Sequence, residues 1–510
     1  MSEHLVAVAE ITKLARLLGI SDPTELDFLV DLPPAAIREY RERVTDRLFD
    51  RDTKRLRAVA SASKIVPVAI SSKIAERAFG PILCAAVASA VEPNRAVDIA
   101  KSLSGPFLAE CATGLDPRRT AAIIAAVPPR MVTDVARELL SRGDHITMGR
   151  FVHVVPEPAL RAAAPVMSDA DLLRIAFLLE DKSAIDNVLH IVADRVPGVI
   201  RAAAEQHMWA EGIDLLDSIA PHNRAWIGDI AAGLGGDVLD TLITAVAELD
   251  AWATLLPITS AMSHDSLRLF AERPPVHDTT VLGAIMDSAL DGGQWTNLLP
   301  LAAHLPAAQL AFIAARVGEQ TDGRLGELIR EADTAGLWDA LIPLALAMNA
   351  GDRRRMAALP ILQEPDVLRR IITSTAEHDL WSQALPLVDA IPDTAKPILA
   401  SCLGDLTREQ LLTAVHTASR SDTIHTLVDV ALAQDQDGRA RILELIDGMD
   451  DVEEFLDALT TETPDVVWQA LIQVRTEIPD RLLTLLADRA RHLGRDRDAG
   501  ELQPIGAAAE

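Results

Sequence analysis

The sequence predicts an all-α protein, an α-solenoid built from three-helix repeats of about 43 residues. Three observations predict this class. Tryptophans recur at a fixed interval, and apolar residues between them recur at three- and four-residue spacing. No stretch alternates apolar and polar residues in the manner of a β-strand.

Five tryptophans set the interval, each lying 43 residues from the next. We take them as structural repeat markers: Trp209, Trp252, Trp295, Trp338 and Trp381. Two further steps of the same interval reach Ile424 and Val467, with Trp468 adjacent to the second. An indole is large enough to supply much of the surface by which one unit stacks on the next. We therefore expect these rings in the core, the alternative being a row that lines a ligand groove.

Other columns of the same register support the repeat. The positions four and eighteen residues after each marker are apolar in all seven units, and the position thirty residues after it is leucine until Glu454 breaks the pattern. Two residues before the marker, the chain carries mostly Asp or Gly, which suit a turn between helices. Prolines five residues after the marker predict a bent helix in four consecutive units: Pro257, Pro300, Pro343 and Pro386.

One unit, 294–336, illustrates the predicted elements. Its apolar residues fall into three amphipathic bursts, separated at Leu305-Pro306 and at Thr321-Asp322-Gly323. Three helices in a unit of this length resemble armadillo or HEAT repeats, which span roughly 40 to 47 residues. We assign the 43-residue repeats to residues 206–493.

Residues 93–205 alternate short helices with breaks such as Leu115-Asp116-Pro117 and Val127-Pro128-Pro129. From about residue 90 to 205, this pattern resembles the superhelical N-terminal domain of MgtE-type magnesium transporters. The resemblance implies irregular short-helix repeats in a right-handed superhelix, and it raises magnesium sensing as an alternative function. The sequence shows no counterpart of that family's CBS modules or membrane pore, so transport is not implied.

Residues 1–92 form an amphipathic N-terminal helical region. Residues 1–80 carry a net charge of +1, whereas the remaining 430 residues carry −28. The run Ile37–Arg57 predicts a charged helix with one apolar stripe, and the residues after it are rich in Ala, Ile and Val. We interpret the region as a cap over the open end of the solenoid. The alternative is that residues 37–91 dock on a membrane surface or on a partner helix.

Charge and composition limit the classes of function. A net charge of −27 opposes nucleic-acid binding, because phosphates require Lys and Arg. Cys84, Cys111 and Cys402 are too few and too scattered for a disulfide framework or a zinc site, which favours the cytoplasm. No run approaches the ~20 apolar residues of a transmembrane helix. Residues 494–510 lack periodic apolar residues and predict a disordered tail.

The sequence contains no recognisable motif for catalysis. It has no Gly-rich phosphate loop, nucleophile elbow, zinc-binding helix or Cys-x-x-Cys pair. His145 and His153 lack a neighbouring carboxylate pattern of known type. A calcium-loop-like run from Asp435 to Glu444 has Ala433 at its first ligand position, so we interpret it as a turn between helices. We therefore predict no catalytic residue, no cofactor and no metal.

The expected function is that of a non-enzymatic cytoplasmic scaffold that binds another protein through an acidic concave surface. A partner with a basic surface is electrostatically consistent with this charge, and the association should weaken with salt. Two alternatives stay open. One is peripheral docking on a membrane or lipid surface through residues 37–91, and the other is sensing of a divalent cation such as magnesium.

Overall fold

A computed structural model describes residues 2–63, 65–421, 423–449, 452–461 and 463–504 of the chain. These residues form helices and turns and contain no β-strand, which confirms the all-α prediction. The chain divides into two compact units, Met1–Pro275 and Val276–Glu510. Among the described residues, no helix combines the length and the apolar content needed to cross a lipid bilayer.

The first unit consists of short helices apart from one long helix near its start. A π-helical turn, Ala75–Phe79, lies between the third and fourth α-helices. In chain order the α-helices are α1 Ser2–Leu18, α2 Pro34–Ser63, α3 Val68–Ile74, α4 Gly80–Ala88, α5 Pro93–Ala100, α6 Gly105–Gly114, α7 Pro117–Ala126, α8 Pro129–Ser141, α9 His145–Phe151, α10 Glu157–Ala163, α11 Asp169–Phe177, α12 Ile185–Ile191, α13 Val196–Glu205, α14 Trp209–Leu216, α15 Pro221–Gly233, α16 Gly236–Leu249, α17 Trp252–Thr259 and α18 His264–Ala271.

Proline sets the start of many helices in the first unit. Helices α4 to α8 each carry a proline in the first two positions, where the missing N–H costs no helical hydrogen bond. The helices pack in two rows. Helix α4 packs on α6, α6 on α8 and α8 on α10, whereas α3 packs on α5 and α5 on α7. Alternate helices therefore share a row.

The second unit has longer helices in its first half. Its α-helices are α19 Thr279–Asp291, α20 Trp295–Ala302, α21 Ala307–Gly318, α22 Asp322–Ala335, α23 Trp338–Ala347, α24 Ala350–Ala357, α25 Pro365–Glu377, α26 Trp381–Ala384, α27 Lys396–Leu403, α28 Arg408–Arg420, α29 Ile424–Leu432, α30 Gln436–Asp447, α31 Val452–Leu456, α32 Asp465–Gln473, α33 Asp480–His492 and α34 Asp496–Glu501. Within this unit α20 packs on α23, α23 on α26, and α29 on α32.

The repeat markers occupy equivalent places in these helices. Each of the five tryptophans, and Ile424 after them, is the first residue of a helix. The predicted turns two residues earlier have a positive φ, which ends the preceding helix in the left-handed region. These turn residues are His207, Asp250, Gly293, Gly336 and Asp379. The next residue of that column, Asp422, lies outside the described residues.

Two apolar columns of the 43-residue repeat lie in the hydrophobic core. Four residues after the markers, the buried side chains are Ile213, Leu256, Leu299, Ile342 and Leu385. Thirty residues after the markers, they are Leu239, Leu282, Leu325, Leu368 and Leu411. The unit at 294–336 has three helices, with breaks that end at Pro306 and Thr321 as the sequence predicts.

Three of the four repeated prolines lie inside helices, and the fourth does not. Pro257, Pro300 and Pro343 are helical residues of α17, α20 and α23. At Pro386 the α-helix has already ended, at Ala384, and the chain continues as a 3-10 helix. A proline nitrogen cannot donate a helical hydrogen bond in any of the four, so the proline alone does not account for this difference.

The C-terminal residues differ from the predicted disordered tail. Residues 496–501 form helix α34, which packs on α33, and Ala499 and Leu502 are buried in the core of the second unit. Two buried apolar residues hold this short helix, and two residues are too few to produce a periodic pattern in the sequence. Residues 505–510 of the predicted tail lie outside the described residues.

Arginine side chains join helices that are distant in sequence. In three places a guanidinium donates to two backbone carbonyls, 37 and 35 residues earlier, at or just beyond the C-terminal end of a helix. These carbonyls lack helical partners, and the negative end of the helix dipole favours a cation. The contacts run from Arg150 to Thr113 and Leu115, from Arg355 to Gly318 and Gln320, and from Arg441 to Gly404 and Leu406.

Candidate functional site

The described residues of the first unit enclose an apolar cavity of about 470 Å³. Its wall is built from the end of α2, from α3 to α11 and from the turns between them, so both rows of helices contribute. The described residues of this wall include no charged side chain, no amide and no imidazole. Ser71 and Thr147 carry its only hydroxyl groups. We call this feature the apolar cavity.

The hydroxyl of Thr147 is already engaged. It donates to the Oδ2 atom of Asp144 at 2.7 Å, and the Oδ1 atom of Asp144 accepts the Thr147 backbone N–H at 3.1 Å. Asp144 thereby caps the N-terminus of α9. The cavity consequently presents an almost purely hydrocarbon surface, and the part of any ligand that fills it must be apolar too.

Two cysteines that are distant in sequence meet on the wall of the apolar cavity. Cys84 lies on α4 and Cys111 on α6, and each thiol influences the titration of the other, while the Sγ atom of Cys84 donates to the backbone carbonyl of Ala75 at 3.6 Å. The two helices approach closely here, because a Cβ atom on Gly114 would lie 3.2 Å from the Cβ atom of Ala85. The proximity of the two thiols lowers the pKa of Cys84 and raises the pKa of Cys111, and burial of Cys111 raises its pKa as well.

Apolar side chains are exposed next to the cavity. Ile74 and Phe79 line it and are each 38% exposed, so the wall reaches solvent at these two side chains, and we call this part of the wall its mouth. Ile82, on the following helix, is 85% exposed. Lys73 and Arg77 lie on the same two turns as Ile74 and are exposed as well. The mouth of the apolar cavity therefore combines hydrocarbon with two positive charges and one negative charge, that of the exposed Glu76.

A buried cluster of charges connects α1, α2 and Glu180. Glu10 and Lys13 of α1 are each no more than 5% exposed, and they form a 2.9 Å ion pair. Glu10 also pairs with Arg38 at 3.0 Å and with Arg41 at 3.3 Å. Arg41 and Lys13 both reach Glu180, which follows α11. We call these residues the buried ion cluster; it fastens α1 and α2 to the segment after α11.

The pKa values of this cluster follow from its geometry. Burial alone would raise the pKa of Glu180, but the positive charges of Lys13, Arg41 and Arg150 outweigh burial and lower it to about 2. The pKa of Glu10 is also lowered, because Lys13 and Arg41 outweigh its burial. Both carboxylates therefore stay ionised at neutral pH.

None of the five repeat markers is among the described residues that line the apolar cavity. Trp252 and Trp295 are 1% exposed, and Trp338 and Trp381 are 5% exposed. Trp209 is only half-buried, and its Nε1 atom donates to the hydroxyl of Thr241 at 3.2 Å. Trp338 and Trp381 also line a second, smaller apolar cavity of about 160 Å³ in the second unit.

Two of the residues that the sequence raised as metal candidates have ordinary structural partners, whereas the buried Nδ1 atom of His153 has no hydrogen-bond partner among the described residues. His145 Nε2 lies 2.7 Å from Asp171 Oδ1, and Asp435 caps α30 by accepting the N–H of Gly438 at 2.8 Å. Within the described part of the chain, no group of three His, Cys, Asp or Glu residues could hold a metal ion.

Sequence reasoning did not find the apolar cavity, the cysteine pair or the buried ion cluster. Cys84 and Cys111 are far apart in sequence, and so are Glu10 and Glu180. The cysteines meet because α4 packs on α6, and the buried ion cluster forms where α1 and α2 contact the segment after α11. The exposed apolar residues near Ile82 were the one detectable signal, since they lie in the amphipathic region 37–91.

Neither a scan of the sequence against known protein families nor a search of curated proteins returns a match. The similarity to armadillo, HEAT or MgtE-type domains therefore stays an interpretation of the sequence pattern.

Proposed function

We propose that this protein is a non-enzymatic helical-repeat scaffold, in which 43-residue units stack side by side and their outer faces bind a protein partner. The observation that carries the proposal is the equivalence of the repeat markers. Successive marker helices α20, α23 and α26 begin at matching residues and pack on one another. Stacking of this kind buries one face of each helix and leaves another for binding. Right-handed stacking, as in the MgtE-type resemblance, belongs to the same proposal.

Charge determines the partner that we propose. The chain has a net charge of −27, and acidic residues such as Glu377 and Glu409 are exposed on the second unit. A basic surface on the partner would complement them and speed association. We place this scaffold in the cytoplasm.

Affinity purification from the native host, followed by reconstitution with the purified partner, tests the scaffold role. Replacing Glu377 and Glu409 by lysine should weaken binding and flatten its dependence on salt. The matched control replaces the exposed Arg330 and Arg354 by glutamate, which should leave binding unchanged or stronger. Equal binding by both variants at every salt concentration would contradict an acidic interface.

A second candidate function is docking on an anionic membrane surface through residues 37–91. The exposed side chains of Ile65 and Ile82, at 86% and 85%, favour it, as does the positive charge of Lys73 and Arg77 nearby. Flotation with anionic liposomes tests this candidate.

The flotation variant replaces both Ile65 and Ile82 by aspartate and should abolish co-flotation. Its matched control is Val466→Asp, because Val466 is another apolar side chain with 69% exposure, far from this segment in sequence. Co-flotation that is absent in the wild-type protein, or equal in both variants, counts against membrane docking.

A further inference from the structure

We propose that the apolar cavity binds the hydrocarbon chain of a single-chain anionic amphiphile, such as a long-chain fatty carboxylate, with its head beside Lys73 and Arg77. This inference goes beyond the scaffold role and does not rest on it. It rests on the chemistry of the wall, the size of the cavity and the charge at its mouth.

The wall determines which part of the ligand is buried. Because the described residues of the wall offer no charged, amide or imidazole group, a polar group placed deep in the cavity would lose its hydrogen bonds to water without replacement. An aliphatic chain has no hydrogen bonds to water to lose there, and burial of its apolar surface favours binding. The volume of about 470 Å³ lies within the range of roughly 300 to 1,000 Å³ that is typical of ligand sites.

The mouth determines the head group. Ile74 and Phe79 continue the apolar wall into solvent, and Lys73 and Arg77 are exposed on the same two turns. The neighbouring carboxylate of Glu76 accepts the backbone N–H of Ser104 at 2.9 Å. An anionic head would meet two cations at this edge, and its charge would stay in water.

Titration of the full-length, delipidated protein with palmitate tests the proposal, with displacement of a fluorescent fatty acid as the readout. Palmitate should bind at one site per chain. A single-chain phospholipid, titrated in parallel, distinguishes the two sources of an acyl chain, and binding of either supports the proposal. A peptide or protein that occupies the cavity while neither amphiphile binds would overturn it.

Two variants, each with phenylalanine in place of an alanine, locate the site. Ala112 lines the apolar cavity, so the ring of Ala112→Phe should fill space that the chain needs and weaken palmitate binding by about tenfold or more. The matched control, Ala390→Phe, fills the smaller cavity of the second unit and should leave binding unchanged. Equal affinity in both variants would overturn the proposal.

Thiol labelling of the unmodified protein gives a second readout, which needs no variant. Cys84 lines the apolar cavity and is only half-buried, whereas Cys402 is buried in the second unit. Palmitate should slow the labelling of Cys84 in proportion to the fraction of protein that has bound it, and it should not affect Cys402. Labelling of Cys84 that is unaffected at saturating palmitate would overturn the proposal.

The double variant Lys73→Glu and Arg77→Glu tests the head group. It should weaken palmitate binding while it leaves the binding of a neutral chain, hexadecanol, nearly unchanged. The control is Arg201→Glu, an exposed charge on α13. An equal loss for palmitate and hexadecanol would show that these two cations do not bind the head, and would overturn that part of the proposal.

Discussion

Individual tryptophans contribute unequally to the stability of the protein. Trp295 is almost fully buried at the start of α20, whereas Trp209 keeps part of its ring in solvent at the start of α14. A buried aromatic ring is worth more than an exposed one because its removal leaves a cavity among atoms that relax only partly. The two markers therefore provide a matched pair for mutagenesis.

Trp295→Ala should lower the free energy of unfolding by about 3 to 5 kcal/mol. Trp209→Ala should cost less, because less of that ring leaves water on folding. Urea denaturation followed by circular dichroism measures both. An equal and small loss in the two variants would mean that the indoles do not hold neighbouring helices together.

Glu180 should make stability depend on pH. Its pKa is about 2 in the folded protein against an ordinary value of 4.5, a difference that corresponds to about 3 kcal/mol. A carboxylate with a lowered pKa contributes stability that is fully present above about pH 5 and is lost as the pH falls from 4.5 toward 2. Glu180→Gln should therefore be less stable than the wild type at pH 7 and approach it near pH 2.

The matched control for Glu180 is Glu157→Gln. Glu157 forms an ion pair with Arg161, but its side chain is 60% exposed, so water screens the interaction. Thermal melts from pH 2 to pH 7 should show a pH-dependent difference for Glu180→Gln alone. Parallel curves for both variants would contradict a specific effect of the buried ion cluster.

The conformations and contacts of individual residues could be predicted from the sequence only where those residues follow the 43-residue repeat. The positive φ of Asp250 and Gly336 follows from their place before a marker. The pairing of Cys84 with Cys111 does not, because it depends on how α4 crosses α6 outside the 43-residue register. The buried ion cluster that contains Glu10 and Glu180 could not be predicted from the repeat either.

Helices are joined to one another by contacts at their ends as well as by their apolar faces. Arg355 and Arg441 occupy the same position in two 43-residue repeats, seventeen residues after the marker, and donate to equivalent carbonyls. A cation at these otherwise unpaired carbonyls strengthens the joint between a helix and one about 36 residues earlier.

Arg355→Ala should lower the free energy of unfolding by about 1.5 to 3 kcal/mol, because it removes charge-assisted hydrogen bonds to two carbonyls. The neighbouring Arg354 is exposed, so Arg354→Ala should change stability by less than about 0.5 kcal/mol. Circular dichroism melts compare them. Matching losses would show that the arginine contact contributes nothing.

At the scale of elements, the sequence predicts helices well where breaks carry Pro, Gly or an N-cap residue. In 294–336, α21 begins after Pro306, and α22 begins after the N-cap Thr321 and ends before the C-cap Gly336. Prediction of helix bounds fails where a helix is too short to show periodicity or where tertiary packing determines its end. Helix α34 is too short to show a period, and the position of Pro386 in the repeat, which matches that of Pro300 inside α20, does not predict that α26 ends at Ala384.

At the scale of the whole molecule, a repeat architecture makes stability a sum of units and of the interfaces between neighbours. Removing one complete unit should then keep every remaining interface in register. Gly293 and Gly336 are equivalent turn residues with φ of 68° and 71°, so the chain can be joined from Gly293 to Leu337 without a new kind of turn.

Deletion of residues 294–336 is the most direct test of the proposed repeat. The deletion should leave a protein that melts cooperatively, with unchanged helicity per residue. Deletion of 294–314, about half a repeat, should disrupt the register and reduce both the cooperativity of melting and the helicity per residue. Circular dichroism of the two proteins measures this. Comparable disruption by both deletions would contradict the account that equivalent 43-residue units stack on their neighbours.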